Sequence, residues 1–460
     1  MKKFSFLFYI ILIIILCKVK SEVVFVFEHF RHGARSPVFI DKHNKDIYNI
    51  KWHSDGELTS VGIRMLYLMG VYIRNKYNNI INKNTSPEEL LVYSTDLNRT
   101  ILSAKSQLLG MFPSEKGDII KNDNKIYTYP PNEIPKEALN EIDKLGNISI
   151  PSKIKAIPIN FFDKEKKPYL LTEEIECPKT KYIKEQNYKK KLVQDYINYF
   201  SEKYSDKWSK YFNIKDKTKF RDYYFLLEVT DHFISSYIHK RNESKFFKDE
   251  DINFEEYYKE CSKFKNISMY EIETTKELGI MAASPIFKEM IYYMDNIIDL
   301  NIKKEYELKK NKTVQFLMYS GHDYIIAAVQ LYLNSIFNTP CFYPDFAANQ
   351  FFELHKKEGN NNLKEEDFFI HYLYDGNLIL NISYPEFKRK IISKMWSMPE
   401  IIDFCKVENY SFIDYLLYFV IGFSTISITY AIIKENISDK KKNTGKKYPI
   451  YKNYQTNKFD

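Results

Sequence analysis

The residues best suited to chemistry in this chain lie in two short stretches. Arg31-His32-Gly33-Ala34-Arg35-Ser36-Pro37 puts an imidazole between two guanidinium groups, and His322-Asp323 pairs a second imidazole with a carboxyl group. Arginine makes forked, charge-assisted bonds to phosphate or carboxylate, and glycine lets a backbone approach a neighbour closely. Histidine can attack, carry a proton or ligate. Together such groups could hold a phosphate or carboxylate group and attack, move a proton or ligate beside it.

Such groups need elements that hold them. Val23-Val24-Phe25-Val26-Phe27 is five apolar residues in a row, three of them β-branched, and reads as a strand covered on both faces. The first cluster therefore sits at the carboxyl end of a strand, where ligand sites lie in open α/β sheets. The run from Val314 to Tyr319 leads in the same way into His322-Asp323, and Ile326, Val329 and Leu333 then mark one helical face. Between them, Leu90 to Ser94 reads as another strand passing through Thr95-Asp96-Leu97-Asn98-Arg99 into a helix with Leu97, Ile101, Ala104, Leu108 and Met111 on its buried side. Its N-terminus, with free N–H groups, falls at the sheet edge of His32 if the strands are neighbours. Thr59 or Ser60 caps an earlier helix whose inner face is read as Val61, Met65, Leu68, Met69, Tyr72 and Ile73. Ser284-Pro285 opens a later one that buries Ile286, Met290, Ile291, Met294 and Ile297.

Arg-His-Gly-x-Arg-x-Pro followed at a distance by Met-Tyr-Ser-Gly-His-Asp resembles the paired signatures of the histidine acid phosphatases, in order across roughly residues 22–407. The resemblance implies an α/β fold: a mixed central sheet with helices on both faces, plus an inserted, smaller, mostly helical cap. It implies hydrolysis of phosphate monoesters through a phosphohistidine, with His32 as nucleophile, Asp323 as proton donor, and Arg31, Arg35 and His322 holding the phosphate. No cofactor and no metal are implied, and a homodimer is possible. The family also carries an arginine that matches Tyr93 here, read as a third phosphate ligand; its loss raises the alternative of a weakly active or pseudoenzymatic phosphate-ester binder. Arg99, the nearest remaining cation, is read as a surface residue, and His29, His355 and His371 as strand or loop residues.

Composition frames the rest. The 460 residues are 44% hydrophobic and 16% aromatic, enough for a large core and more than one domain. The net charge of +8 comes from scattered lysines without a basic, aromatic-interleaved stripe, so nucleic acid is set aside as a partner in favour of a small phosphorylated substrate. Lys2 and Lys3 precede an apolar run, as in a secretory signal peptide over residues 1–21 with cleavage just after Ser21. Residues 415–433 carry no charge and are about the 20 residues a bilayer span needs. The lysine-rich residues 434–460 behind them read as a cytoplasmic tail, which leaves the body lumenal or extracellular, in a lysosome or vesicle or at the cell surface. Residues 22–169 and 270–407 are assigned to the phosphatase body and residues 170–269 to the cap. Sequons such as Asn84, Asn147 and Asn266 suit this topology. Cys17 leaves with the signal, and Cys177, Cys261, Cys341 and Cys405 remain as an even set for an oxidising compartment, with three pairings open to them. The family resemblance selects Cys177 with Cys405 and Cys261 with Cys341.

Overall fold

In the computed structural model the described residues are 21–38, 55–82, 85–113, 157–161, 177–240, 254–309, 312–360 and 362–406. The signal segment up to Lys20, the sequons Asn84 and Asn147, the apolar residues 415–433 and the basic tail lie outside them. Among the described residues no helix is long and apolar enough to cross a membrane.

A seven-stranded mixed sheet organises the body. Its strands are β1 (Ser21–Arg31), β2 (Leu90–Ser94), β3 (Asn160–Phe161), β4 (Phe316–Gly321), β5 (Asn349–Lys357), β6 (Phe368–Tyr374) and β7 (Asn377–Ser383), in the order β3-β2-β4-β1-β5-β6-β7. β3, β2, β4 and β1 run parallel, whereas β5, β6 and β7 follow as antiparallel neighbours. The central strands are apolar on both faces because both faces are covered. On one face Val26, Phe30, Val92, Phe316 and Met318 meet α1 (Ser60–Lys76) and α2 (Asn98–Met111). On the other, Phe25, Phe27, Leu317, Tyr319 and Phe352 meet α7 (Lys276–Ile302), α9 (Asp323–Phe337) and α10 (Tyr384–Ile392).

Between the two halves of the body lie α3 (Pro178–Tyr188), α4 (Lys191–Tyr211), α5 (Tyr223–Ile238) and α6 (Phe254–Ile267). They share a core of their own in which Phe200, Trp208, Phe220, Phe233, Tyr257 and Phe264 interlock, with Ala34 and Phe346 of the body at its edge. Short α8 (Tyr306–Lys309) precedes β4, and α11 (Met398–Lys406) closes the described chain.

Residues 178–211 form two helices, broken between Tyr188 and Lys191. Two local expectations change. Pro285 lies inside α7 rather than at its start, and Ser284 Oγ caps the Ile280 carbonyl at 2.6 Å there. The inner face of α1 is Gly62, Leu66, Gly70 and Ile73, while Val61, Leu68 and Tyr72 are exposed. Glycine explains the rotation. A Cβ on Gly70 would come within 2.0 Å of the Gln107 carbonyl oxygen, and one on Gly62 within 2.2 Å of that of Ala34, so α1 seats by backbone contact where the sequence shows no side chain.

The Cys177–Cys405 disulfide forms, joining the start of α3 to α11. The second expected pair does not. Cys261 and Cys341 are free thiols, because Cys261 points into the aromatic core of α4–α6 whereas Ser262, Lys263 and Asn266 of the same helix face Cys341 across a cavity.

Candidate active site

Parallel β1, β4 and β2 all end at one edge of the sheet, and that adjacency assembles the site. Arg31 pairs with Gly321 in register, His32 N–H donates to the Gly321 carbonyl at 3.0 Å, and Thr95 N–H donates to that of Ser320 at 3.2 Å. The imidazoles of His32 and His322, 290 positions apart in the chain, thereby come to a ring separation of 5.6 Å. Gly33 serves packing rather than a bound anion: a Cβ there would meet the Gly62 carbonyl oxygen at 2.5 Å, so α1 presses directly on the loop.

The His32 tautomer is fixed by a single contact. Its Nδ1 lies 2.9 Å from the Gly33 carbonyl oxygen, which can only accept, so Nδ1 carries the hydrogen and Nε2 keeps its lone pair. Burial holds the His32 pKa well below its ordinary value, and Arg31, Arg35, His322 and Arg99 push it the same way. His322 is pushed down to about 3 by burial and then by Arg99. Its Nε2 meets Thr95 Oγ1 at 3.0 Å, Thr95 Oγ1 meets Thr100 Oγ1 at 2.8 Å, and Tyr324 stacks on its ring. Both histidines are therefore neutral at mildly acidic pH.

The two arginines are held with donors to spare. Arg35 places Nη1 and Nη2 on the Asp231 carboxylate at 2.8 and 3.1 Å, and Nη1 also donates to the Ser36 carbonyl at 2.9 Å. Arg31 donates from Nη1 to the Pro344 carbonyl at 2.8 Å and pairs through Nη2 with Asp323 at 2.7 Å. In both, Nε is buried without an acceptor. The ring of Phe346 lies 4.5 Å from the Arg31 guanidinium and 5.5 Å from that of Arg35, an apolar platform for both. Burial raises the Asp323 pKa, but Arg31, followed by His322, Lys265 and Arg35, lowers it further, so this carboxyl ends below its ordinary value and is ionised. The sequence-based picture of a protonated Asp323 does not describe the resting site.

Tyr93 is not in the cleft. Its side chain packs on the opposite face of the sheet, with its ring 5.4 Å from that of Tyr319, among the residues that meet α7. The cation beside the histidines is Arg99, in the first turn of α2, and it acts on both imidazoles. Reading Tyr93 as the replaced phosphate ligand and Arg99 as a surface residue is corrected accordingly.

Two further charges reach the cleft from the helical insertion, and neither was singled out in the sequence. Asp231 of α5 also accepts from Val38 N–H at 2.9 Å, and Lys265 of α6 lies 3.8 Å from Asp231. Lys265, Asp323, Tyr324 and Tyr343 border a cavity of about 320 Å³ beside Asp323. A signal existed: Asp231 sits in a strongly apolar helix, and a buried carboxylate there requires a cationic partner. Among the described residues, the one group of three side chains able to hold a metal lies elsewhere, on β5 and β6.

Comparison with known proteins gives one picture. The profile of the histidine phosphatase superfamily (branch 2) matches residues 17–375. Prostatic acid phosphatase of Bos taurus is 24% identical over 366 residues, covering 77% of each chain. Lysosomal acid phosphatase of Xenopus laevis is 35% identical over 121 residues, 24% of this chain and 27% of that one. Among solved structures, the Hafnia alvei phytase in complex with myo-inositol hexakis sulphate superposes with a TM-score of 0.54 at 11% identity, over 84% of this chain and 99% of the other. The phytase of Citrobacter braakii gives 0.52 at 14% identity, over 83% and 99%.

Proposed function

The chain belongs to the histidine phosphatase superfamily, branch 2, as a phosphoric monoester hydrolase, and from that premise we propose an acid phosphatase that works through phosphohistidine at His32. The observation that carries this reading is an Nε2 lone pair beside two buried arginine Nε donors that lack acceptors. A phosphate group supplies both what the lone pair attacks and what the donors need.

In the first step a phosphate oxygen replaces Asp323 on Arg31, while Arg35, Arg99 and His322 take the other oxygens. Separated from its cation and placed beside an anion, Asp323 gains a proton in acid solution; the same anion raises the His322 pKa. His32 Nε2 bonds to phosphorus as the ester oxygen leaves, and that oxygen takes the Asp323 proton. Water then gives its proton to Asp323 and its oxygen to phosphorus, and the N–P bond breaks. Proton loading of Asp323 makes the first step fastest below neutral pH. Tyr93 gives no support to the pseudoenzyme alternative, since its side chain belongs to the other face of the sheet.

The relatives named lysosomal and prostatic acid phosphatases support a lumenal or extracellular body, as the disulfide does. Attachment by residues 415–433 rests on their sequence alone. Hydrolysis of p-nitrophenyl phosphate between pH 4 and 7 tests the reading, with His32→Ala as the blank and rapid alkaline quench to trap labelled phosphoenzyme. Wild type is expected to be active and labelled and the variant to be neither; equal turnover by the two proteins would overturn the proposal.

A further inference from the structure

On the α1 side of β5 and β6, three potential metal ligands converge far from the cleft. His355 Nε2 lies 2.9 Å and His371 Nδ1 3.8 Å from the same oxygen, Glu353 Oε2, and the three ligand atoms all fall within 4.8 Å of one another. A tetrahedral zinc ion with bonds of about 2.0–2.1 Å sets its ligand atoms roughly 3.3 Å apart. The two observed separations straddle that value.

The surroundings are those of a held site. The other carboxylate oxygen, Glu353 Oε1, accepts from Tyr77 Oη at 2.7 Å and pairs with Lys76 Nζ at 2.8 Å, which fixes the group and leaves Oε2 toward the imidazoles. Phe369 stacks on His355 at 5.2 Å and sets its plane. The ligands stand on adjacent, hydrogen-bonded strands, with Glu353 opposite His371 in register. Glu353 is buried, whereas the His371 side chain is 21% exposed, which leaves a path for an ion and a water in the fourth position.

We propose that Glu353, His355 and His371 form a zinc-class divalent-cation site. It is separate from the phosphatase chemistry: His355 pairs with Val23 near the start of β1, and the eight residues from there to Arg31 span about 25 Å of strand. A metal there ties β5 to β6 at the edge remote from the cleft and acts on stability. The Lys76 ammonium opposes the incoming charge, so the ion exchanges and a chelator removes it.

Full-length protein purified without a polyhistidine tag, stripped by chelator and titrated with cobalt(II) at pH 7.5 tests this. Wild type is expected to bind one equivalent with the intense visible bands of a four- or five-coordinate ion, displaced by zinc, and zinc is expected to raise its melting temperature. His371→Ala, at a part-exposed position outside the cleft, is expected to keep phosphatase activity while losing the bands and at least ten-fold in cobalt affinity. Absence of the bands in wild type, or undiminished uptake by the variant, overturns the site. If the variant folds poorly, zinc-edge X-ray absorption of wild type decides: two imidazoles and a carboxylate oxygen support the site, and a thiolate or all-oxygen shell overturns it.

Discussion

Single residues carry the electrostatics of this cleft, and Arg99 is the clearest case. It sits beside both imidazoles, whereas Tyr93, six positions earlier, is turned to the far face. A charge-assisted contact contributes about 1.5–3 kcal/mol, so Arg99→Ala is expected to lower kcat/KM by about 10- to 150-fold, with partial recovery in Arg99→Lys. Tyr93→Arg is expected to give no gain in turnover and a lower unfolding midpoint, because it forces a guanidinium among Tyr319 and the residues that meet α7. Steady-state kinetics and urea titration of the three variants check both statements. Sequence made His32, Arg31, Arg35, His322 and Asp323 legible because each lies where a strand ends. It did not distinguish Tyr93 from Arg99, since that depends on which way a side chain leaves β2. The clue was the junction itself: a cation in the first turn of α2 lies at the edge where β1 and β4 also end.

At the scale of elements, β1 both delivers His32 and carries a buried acid in its middle. Burial pushes the Glu28 pKa up to about 8, against the pull of the Gln107 amide that donates to it at 2.6 Å. The folded state thus keeps a proton that the unfolded chain loses above about pH 4.5. Glu28 is favourable to folding only in acid, and its cost grows between pH 4.5 and 8. Glu28→Gln is expected to stabilise the protein by roughly 3 kcal/mol at pH 7 and to change little near pH 4, read from denaturant titrations at both. A gain independent of pH would mean that the proton is not the cause. The β1 strand and the buried side of α7 could be read from apolar runs and periodicity; of α2, Ala104, Leu108 and Met111 could, whereas Leu97 and Ile101 are half-buried and the polar Thr100, Ser103 and Gln107 fill the rest of that face. The seating of α1 could not, because the glycines through which it touches its neighbours leave no hydrophobic trace.

Over the whole molecule, one disulfide and two thiols divide the four cysteines that follow the predicted signal segment, in which the fifth, Cys17, lies. Cys177–Cys405 closes a loop of 228 residues that holds both the helical insertion and strands β4 to β7, so its removal is expected to cost about 2–5 kcal/mol. Denatured, unreduced mature protein is expected to expose two reactive thiols, Cys261 and Cys341; a count of zero would restore the pairing that family resemblance suggests. Helical insertion and body are coupled chemically as well as covalently, since Asp231 of α5 sets the pose of Arg35.

That pose fixes what Arg35 can still grasp. With Nη1 fully engaged and Nη2 half engaged, the guanidinium offers a ligand its Nε side, two parallel N–H groups a fixed distance apart. Such a fork works as a caliper for paired oxygens. Oxyanions such as tungstate and vanadate, which meet the two N–H groups with two separate oxygens, are therefore expected to inhibit at lower concentration than a halide, which offers the pair a single centre; inhibition constants for the two kinds of anion check this.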